Sequence, residues 1–414
     1  MEQLALLGGP KTKIKPFGTG RRFGEQERRE VLEALDSDVL FYVVGTKVHG
    51  MEARMRGMYG MKHCNGCSSG TAAVHIALGS LELPPGKEVI TSGITDMGTV
   101  TGILYQCLIP RFADIDPETY NMDPNAVERL INPKTGAIVV VHHAGLPAEM
   151  DEFTAIAGKH GIPLVEDCAQ AWYTHYKNRL CGTFGDISTF SLNHFKLITS
   201  GSGGMVLTNR DELEEVVKLF IDKCYFRDGR KRNPYFLAPN YQMTELQGAV
   251  ALGQLEKVAG IVERRNRSGM RLIRGLEAIP GIIPQRVPEY STHSFFLLVV
   301  RIDPGLIPVE VSEFCRALEA EGIPSEPNKV TGGMPTYLYD IFRERSAFPR
   351  SSFPFVSKDL GSDISYPEGL CPNTEDAFEH TFNFNITEFY TEEDIDDMLR
   401  ATEKAAQHYR TQGG

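Results

Sequence analysis

The sequence predicts an α/β protein, with a large domain on a mostly parallel central sheet flanked by helices and a smaller C-terminal α/β domain behind it. Three observations predict this. Short apolar runs over 88–90, 109–112 and 137–141 alternate with helical stretches. One βαβ unit is explicit, with strand 137–142, helix 150–160 and strand 163–167. The chain, at 414 residues, is long enough for two domains. In open sheets of this kind ligands sit beyond the carboxyl ends of the strands, where Asp167 falls.

The elements follow in order. Residues 20–37 read as an amphipathic helix with Val31, Leu32 and Leu35 on one stripe, and 70–81 as a buried helix. After the βαβ unit, 187–192 and 205–208 read as strands and 211–224 as a charged amphipathic helix, followed by a basic loop over 226–234. Residues 244–278 read as one long, bent helix that hands the chain from the large domain (1–265) to the small one (266–414). The small domain is expected to hold a strand over 294–302, a helix over 309–321 and a final helix over 392–409, whose acidic first turn suits the helix dipole.

Bulk properties narrow the function. A net charge of -11 argues against generic binding to nucleic acid or anionic membranes. No apolar run approaches the roughly 20 residues of a membrane helix, and the start lacks the basic flank of a signal peptide, so a cytoplasmic protein is expected. The eight cysteines are too dispersed for a disulfide scaffold. The Cys64–Cys67 pair lacks the second Cys/His pair of a zinc site, so all are read as free thiols.

Three segments carry chemistry. Lys196 follows a strand and precedes the turn Gly201-Ser-Gly-Gly204, a setting suited to a covalently engaged amine. Asp167 ends an apolar strand, so its carboxylate is either a helix N-cap or the partner of a buried cation. Ser69-Gly70-Thr71 opens a helix whose unpaired amides suit a phosphate, and Ser191 can add a hydroxyl. Pyridoxal 5'-phosphate asks for these things together: an amine for its aldehyde, a carboxylate for its pyridine nitrogen and a cup for its phosphate. Gln170 can hydrogen-bond the phenolic oxygen of the ring or the imine region, while Glu166 alternates to the other face and reads as structural.

The ordered motifs Ser-Ser-Gly-Thr-Ala-Ala, Glu-Asp-Cys-Ala-Gln-Ala, Gly-Thr-Phe-Gly-Asp-Ile, Ser-x-x-x-x-Lys and Asn-Tyr-x-Met-Thr-Glu-Leu-Gln resemble the DegT/DnrJ/EryC1/StrS family, from about residue 16 to the last helix. These are fold-type I pyridoxal phosphate aminotransferases acting on sugars and cyclitols. The resemblance implies Lys196 as the imine lysine, Asp167 as the pyridinium partner, Gln170 beside the ring, and Ser69, Gly70, Thr71 and Ser191 at the phosphate. It further implies a homodimer with shared active sites, in which Asn240 reaches the phosphate of the neighbouring subunit.

Two departures stand out. Where the family places an aromatic over the cofactor ring, this chain has Asp96, or, with a one-residue shift, Met97. Trp172, the single tryptophan, follows Gln170-Ala and is expected near the cofactor. His194 beside the lysine is either a second catalytic group or a structural residue. Of His142 and His143, one is expected to face the pocket and the other to pack. The loop carrying Arg227 is either a phosphate clamp or a solvated surface.

The reading is an aminotransferase that takes the amine of glutamate or glutamine and delivers it to a keto sugar, nucleotide-linked or not, or to a ketocyclitol. A dehydration or elimination on a related sugar, and a non-catalytic regulatory relative, are the competing readings.

Overall fold

The computed structural model describes residues 2–328 and 332–412. Seven strands form the main sheet: β1 (His63–Cys67), β2 (Glu88–Ser92), β3 (Ile109–Ala113), β4 (Thr135–Val141), β5 (Leu164–Asp167), β6 (Ile187–Ser191) and β7 (Gly204–Thr208). Their order is β1-β7-β6-β5-β4-β2-β3. The five from β6 to β3 are parallel, β7 runs antiparallel to β6, and β1 antiparallel to β7. Register brings the strand ends level, with Asp167 beside Val141 on one side and Thr189 on the other.

Helices cover both faces, which is why the strands read as continuous apolar runs. Along β4, Ile138 and Val140 enter one core with Val48, Met51 and Phe153, while Ala137 and Val139 enter another with Ile76, Val217 and Phe220. The helices are α1 (Glu25–Asp36), α2 (Lys47–Tyr59), α3 (Gly70–Ser80), α4 (Met97–Tyr105), α5 (Pro124–Leu130), α6 (Met150–His160), α7 (Asp211–Ile221), α8 (Glu245–Leu255) and α9 (Val258–Leu276).

Two expectations differ from the structure. The stripe on α1 is inverted: Glu27, Glu30 and Ala34 are buried, while Leu32 and Leu35 are 51% and 50% exposed. The buried acids are paired, Glu27 with Lys257 and Glu30 with Lys47, so charge complementarity overrides hydropathy here. The expected long helix over 244–278 is two helices with a turn at Glu256 and Lys257. Gln254 and Lys257, flanking that turn, both bond the Arg22 carbonyl and Glu27, tying the break to the start of α1.

The C-terminal part holds an antiparallel sheet in the order Ile282–Pro284, Leu298–Ile302, Thr381–Phe384, Glu326–Pro327, covered by helices Val311–Ala320 and Glu392–Gln412. A division at residue 265 falls inside α9. Ile261 and Val262 of that helix pack in the first core, and Leu272, Ile273 and Leu276 in the C-terminal one. The chain's start belongs to the latter: Leu4 enters its core, Lys13 lies between Asp394 and Asp397, and Glu321 accepts the Ala5 and Thr12 amides. The segment 335–371, which carries no strong sequence signal, covers the edge of β3. Tyr337, Phe342 and Tyr366 surround Phe112, and the Tyr366 hydroxyl donates to the Pro110 carbonyl at 2.8 Å.

The motif that opens α8 ties it to α2. Thr244 and Gln247 form a capping box. The buried Glu245 carboxylate accepts the first two amides of α2, from Lys47 at 2.6 Å and Val48 at 3.0 Å. Replacing Glu245 with Ala strands both amides, and a loss of about 2 kcal/mol is expected. An unchanged denaturant midpoint for Glu245→Ala would contradict this account.

Candidate active site

A cavity of about 480 Å³ opens at the carboxyl end of the main sheet and is closed from the other side by the C-terminal sheet. Lys196, Asp167, Gln170, Ser69, Gly70, Thr71, Ser191 and Asp96 all line it.

Lys196 lies on the loop between β6 and β7, which is anchored by buried Leu192, Leu197 and Ile198. Arg22 spans the outside of this loop, donating to the carbonyls of His194, Lys196 and Leu197. The Lys196 ammonium sits 4.7 Å from the centre of the Phe296 ring. Burial pushes its pKa down, and Asp167 and Asp96 partly restore it.

Asp167 is 4% exposed. Its Oδ2 accepts the Thr99 hydroxyl at 2.8 Å and its Oδ1 the Ala169 amide at 3.0 Å. Burial raises its pKa, against the lowering by these two donors and by Lys196. A turn rather than a helix follows it, which removes the N-cap reading. The side-chain oxygen of Gln170 accepts the Ala144 amide at 2.7 Å, which fixes the amide plane and leaves the –NH₂ as the group available to the cavity. That amide is presented by Ala144 in the left-handed region, at φ 59°.

The phosphate cup follows from the start of α3. Ser69 caps the helix by accepting the Ala72 amide, and the Ala73 amide bonds the Ser69 carbonyl. The amides of Gly70 and Thr71, at the first two helical positions, lack intrahelical acceptors. Glycine is required here by closeness: a Cβ on Gly70 would lie 2.7 Å from the Ser191 hydroxyl, and one on Gly204 2.3 Å from the Ser69 carbonyl. A cup floored by amides and walled by the Ser191 and Ser202 side chains suits a phosphate. With a buried carboxylate and a lysine facing the same space, the residues present fit pyridoxal phosphate.

The other candidates are placed as follows. Asp96 is on the wall and caps α4 through the Gly98 amide at 2.7 Å, whereas Met97 packs away from it with the cluster around Phe112. Trp172 is fully buried in the first core. It lies against Phe190 and donates to the Ser191 carbonyl at 2.9 Å, so it braces β6 from behind and does not line the cavity. His142 and His143 are both buried away from the lining. His142 contacts Glu166 at 3.2 Å, and Glu166 accepts the amides of Gly182, Phe184 and Gly185, which is what the Gly-Thr-Phe-Gly motif serves. His194 is exposed and contributes its carbonyl to Arg22. Arg227 pairs with Asp222 outside the cavity, and Asn240 is exposed and also outside it. Residues that sequence reasoning missed are Thr99, Arg22, Phe296, Ser202, Glu326 and Asn383. Ser202 sits in the glycine-rich turn after Lys196, where its serine could have been read as a phosphate donor; the other five lie in no motif and reach the site only through tertiary packing.

The profile of the DegT/DnrJ/EryC1/StrS aminotransferase family matches residues 21–403. The spore coat polysaccharide biosynthesis protein SpsC of Bacillus subtilis is 31% identical over 387 residues, covering 91% of this chain and 94% of its own. The L-glutamine:2-deoxy-scyllo-inosose aminotransferase of Micromonospora echinospora is 33% identical over 366 residues, covering 84% and 83%. The crystal structure of 3-amino-5-hydroxybenzoic acid synthase superposes with a TM-score of 0.82 at 25% identity, covering 96% of this chain and all of that one. The chain belongs to the DegT/DnrJ/EryC1/StrS aminotransferase family.

Burial lowers three histidines from the ordinary 6.5, His75 and His143 to about 4 and His293 to about 3. Each stays neutral in the fold while the unfolded chain takes up protons below about 6.5. Their stability contribution is therefore complete above that pH and is lost as pH falls toward 4, by up to about 1.4 kcal/mol per pH unit for each. Denaturant midpoints should fall between pH 7 and pH 5, less steeply in His143→Leu. A flat profile over this window would overturn the assignment.

Proposed function

We propose that the protein is a pyridoxal-phosphate-dependent aminotransferase that moves the amine of glutamine or glutamate to the ketone of a keto sugar or ketocyclitol. The observation that carries the reading is the convergence of one half-buried amine, one buried carboxylate and one amide-floored cup on a single cavity. Relatives described as L-glutamine:inosose aminotransferases favour glutamine as donor and a cyclitol as acceptor.

In this reading Gly70, Thr71, Ser69 and Ser191 hold the cofactor phosphate, Asp167 its ring nitrogen and Gln170 its phenolic oxygen. The cofactor, when bound, carries the amine between donor and acceptor and delocalises the charge developed at the exchanging carbon. The remaining work falls to the chain. Thr99 and the Ala169 amide hold Asp167 in place, so its charge faces the ring without reorganisation. Lys196 Nζ, with its basicity lowered by burial, is placed to take the proton from the donor carbon that bears the amine in the first half reaction and to supply one to the acceptor's former carbonyl carbon in the second. Arg22 keeps that loop in register from outside. Asn240, exposed and off its own chain's cavity, fits a role at the cavity of a second copy, so the working form in this reading is a homodimer.

The test is the visible absorption of the protein loaded with pyridoxal phosphate, before and after glutamine or glutamate. Replacement of the pyridoxal band by the pyridoxamine band is expected in the wild type and not in Lys196→Ala. Asp167→Asn is expected to slow it by about 100-fold or more. A pyridoxal band that no amine changes would sink the proposal.

A further inference from the structure

The ammonium of Lys196 has an aromatic neighbour rather than an ionic one. Among the described residues no carboxylate pairs with it and no acceptor bonds it; Asp167 and Asp96 act on it only from a distance. The contact that Nζ makes is with the ring of Phe296, 4.7 Å from the centre. Both residues line the cavity.

Phe296 is carried on a strained and heavily tethered segment. Phe295 before it has φ 49°, in the left-handed region where a bulky side chain is an outlier. Its ring stacks on His293 at 4.0 Å and fills the space over Gly269 of α9, where a Cβ would lie 2.4 Å from it. The amides of Ser294 and Leu297 donate to the carbonyls of Gly145 and Ala144, at 3.0 Å and 3.2 Å. The Ser294 hydroxyl reaches the Gln170 carbonyl at 3.1 Å. Backbone strain of this kind persists only where the surroundings over-determine it, and such residues gather at functional sites. The segment is thus anchored to the turn that fixes Gln170, and it places Phe296 at Lys196. Every one of these contacts lies within one chain.

An aromatic face attracts an ammonium through its partial negative charge. A carboxylate in the same place would engage the N–H donors; a ring holds the charge and leaves those donors free. That is the requirement on a lysine that must accept a proton and then give it up.

Resting on the aminotransferase reading, we propose that Phe296 is a positioning residue for Lys196. Its ring seats the amine while the lysine holds the transferred proton, steadying the charge without tying up the N–H groups that deliver it.

The test follows the titration of Lys196 in the full chain freed of cofactor, by competitive acetylation over a pH series with peptide mass spectrometry. The charged groups facing the amine, Asp167, Asp96 and Glu326, are the same in every variant compared. In Phe296→Leu, which stays apolar but has no ring face, the Lys196 pKa should fall by about half a unit or more while the other lysines titrate as in the wild type. Phe296→Met, a second variant without a ring, should show the same fall, and Phe296→Tyr should titrate like the wild type. A Lys196 pKa unchanged or raised in the Leu and Met variants, or lowered as far in Phe296→Tyr, would overturn the proposal. Acetylation decides this without the cofactor. A pyridoxal band in the loaded wild type that no amine changes would overturn the aminotransferase reading instead, so the two failures are separate.

Discussion

Everything at this site hangs on one enclosed carboxylate. Asp167 ends a central strand, flanked on both sides by parallel neighbours, with almost no access to water. An anion there is tolerable only if donors surround it. The Thr99 hydroxyl on α4 and the amide of Ala169 supply that shell, and Lys196 supplies the facing charge. Shifting β5 by one residue against its neighbours would exchange Asp167 for Glu166, because successive side chains point to opposite faces. Glu166 resists that slip from the other face, where its buried carboxylate accepts the amides of Gly182, Phe184 and Gly185.

The same rule recurs away from the cavity. Glu166, Glu245 and Glu321 are buried carboxylates, each held by backbone amides, and each locks a loop or helix start to a distant segment. Glu27 and Glu30 are buried against lysines from other helices. These residues explain why a hydropathy stripe misplaced the inner face of α1. Hydropathy scores an acid as exposed, and only the folded chain reveals the amide or ammonium that lets it go inside.

Asp96 gives the cavity an acidic wall on the side of the large sheet. It caps α4 there, while Met97 turns away to pack with the cluster around Phe112. Its charge is one that Lys196 senses. Phe296, from beyond α9, brings an aromatic ring to the lysine from the other side. The acidic character extends to Glu326 of the C-terminal sheet, which lines the same cavity.

The sequence by itself determined the architecture of the large sheet, the family, and the residues that come as motifs. Lys196, Asp167, Gln170 and Ser69 to Thr71 are legible because each sits at a strand end, in the turn that follows one, or at the start of a helix, where local spacing dictates position. Tertiary structure alone decided which neighbours complete them. Trp172 follows Gln170 closely in sequence, yet the turn after β5 carries it into the core behind Ser191. His142 and His143 stand at the ligand end of β4, yet both are buried away from the cavity lining. Thr99, Arg22, Phe296, Glu326 and Asn383 come from segments 97 to 187 residues along the chain from the lysine. Local pattern reports which way a side chain alternates along its own element. What it meets there depends on the packing of remote elements, and no single-chain periodicity encodes that.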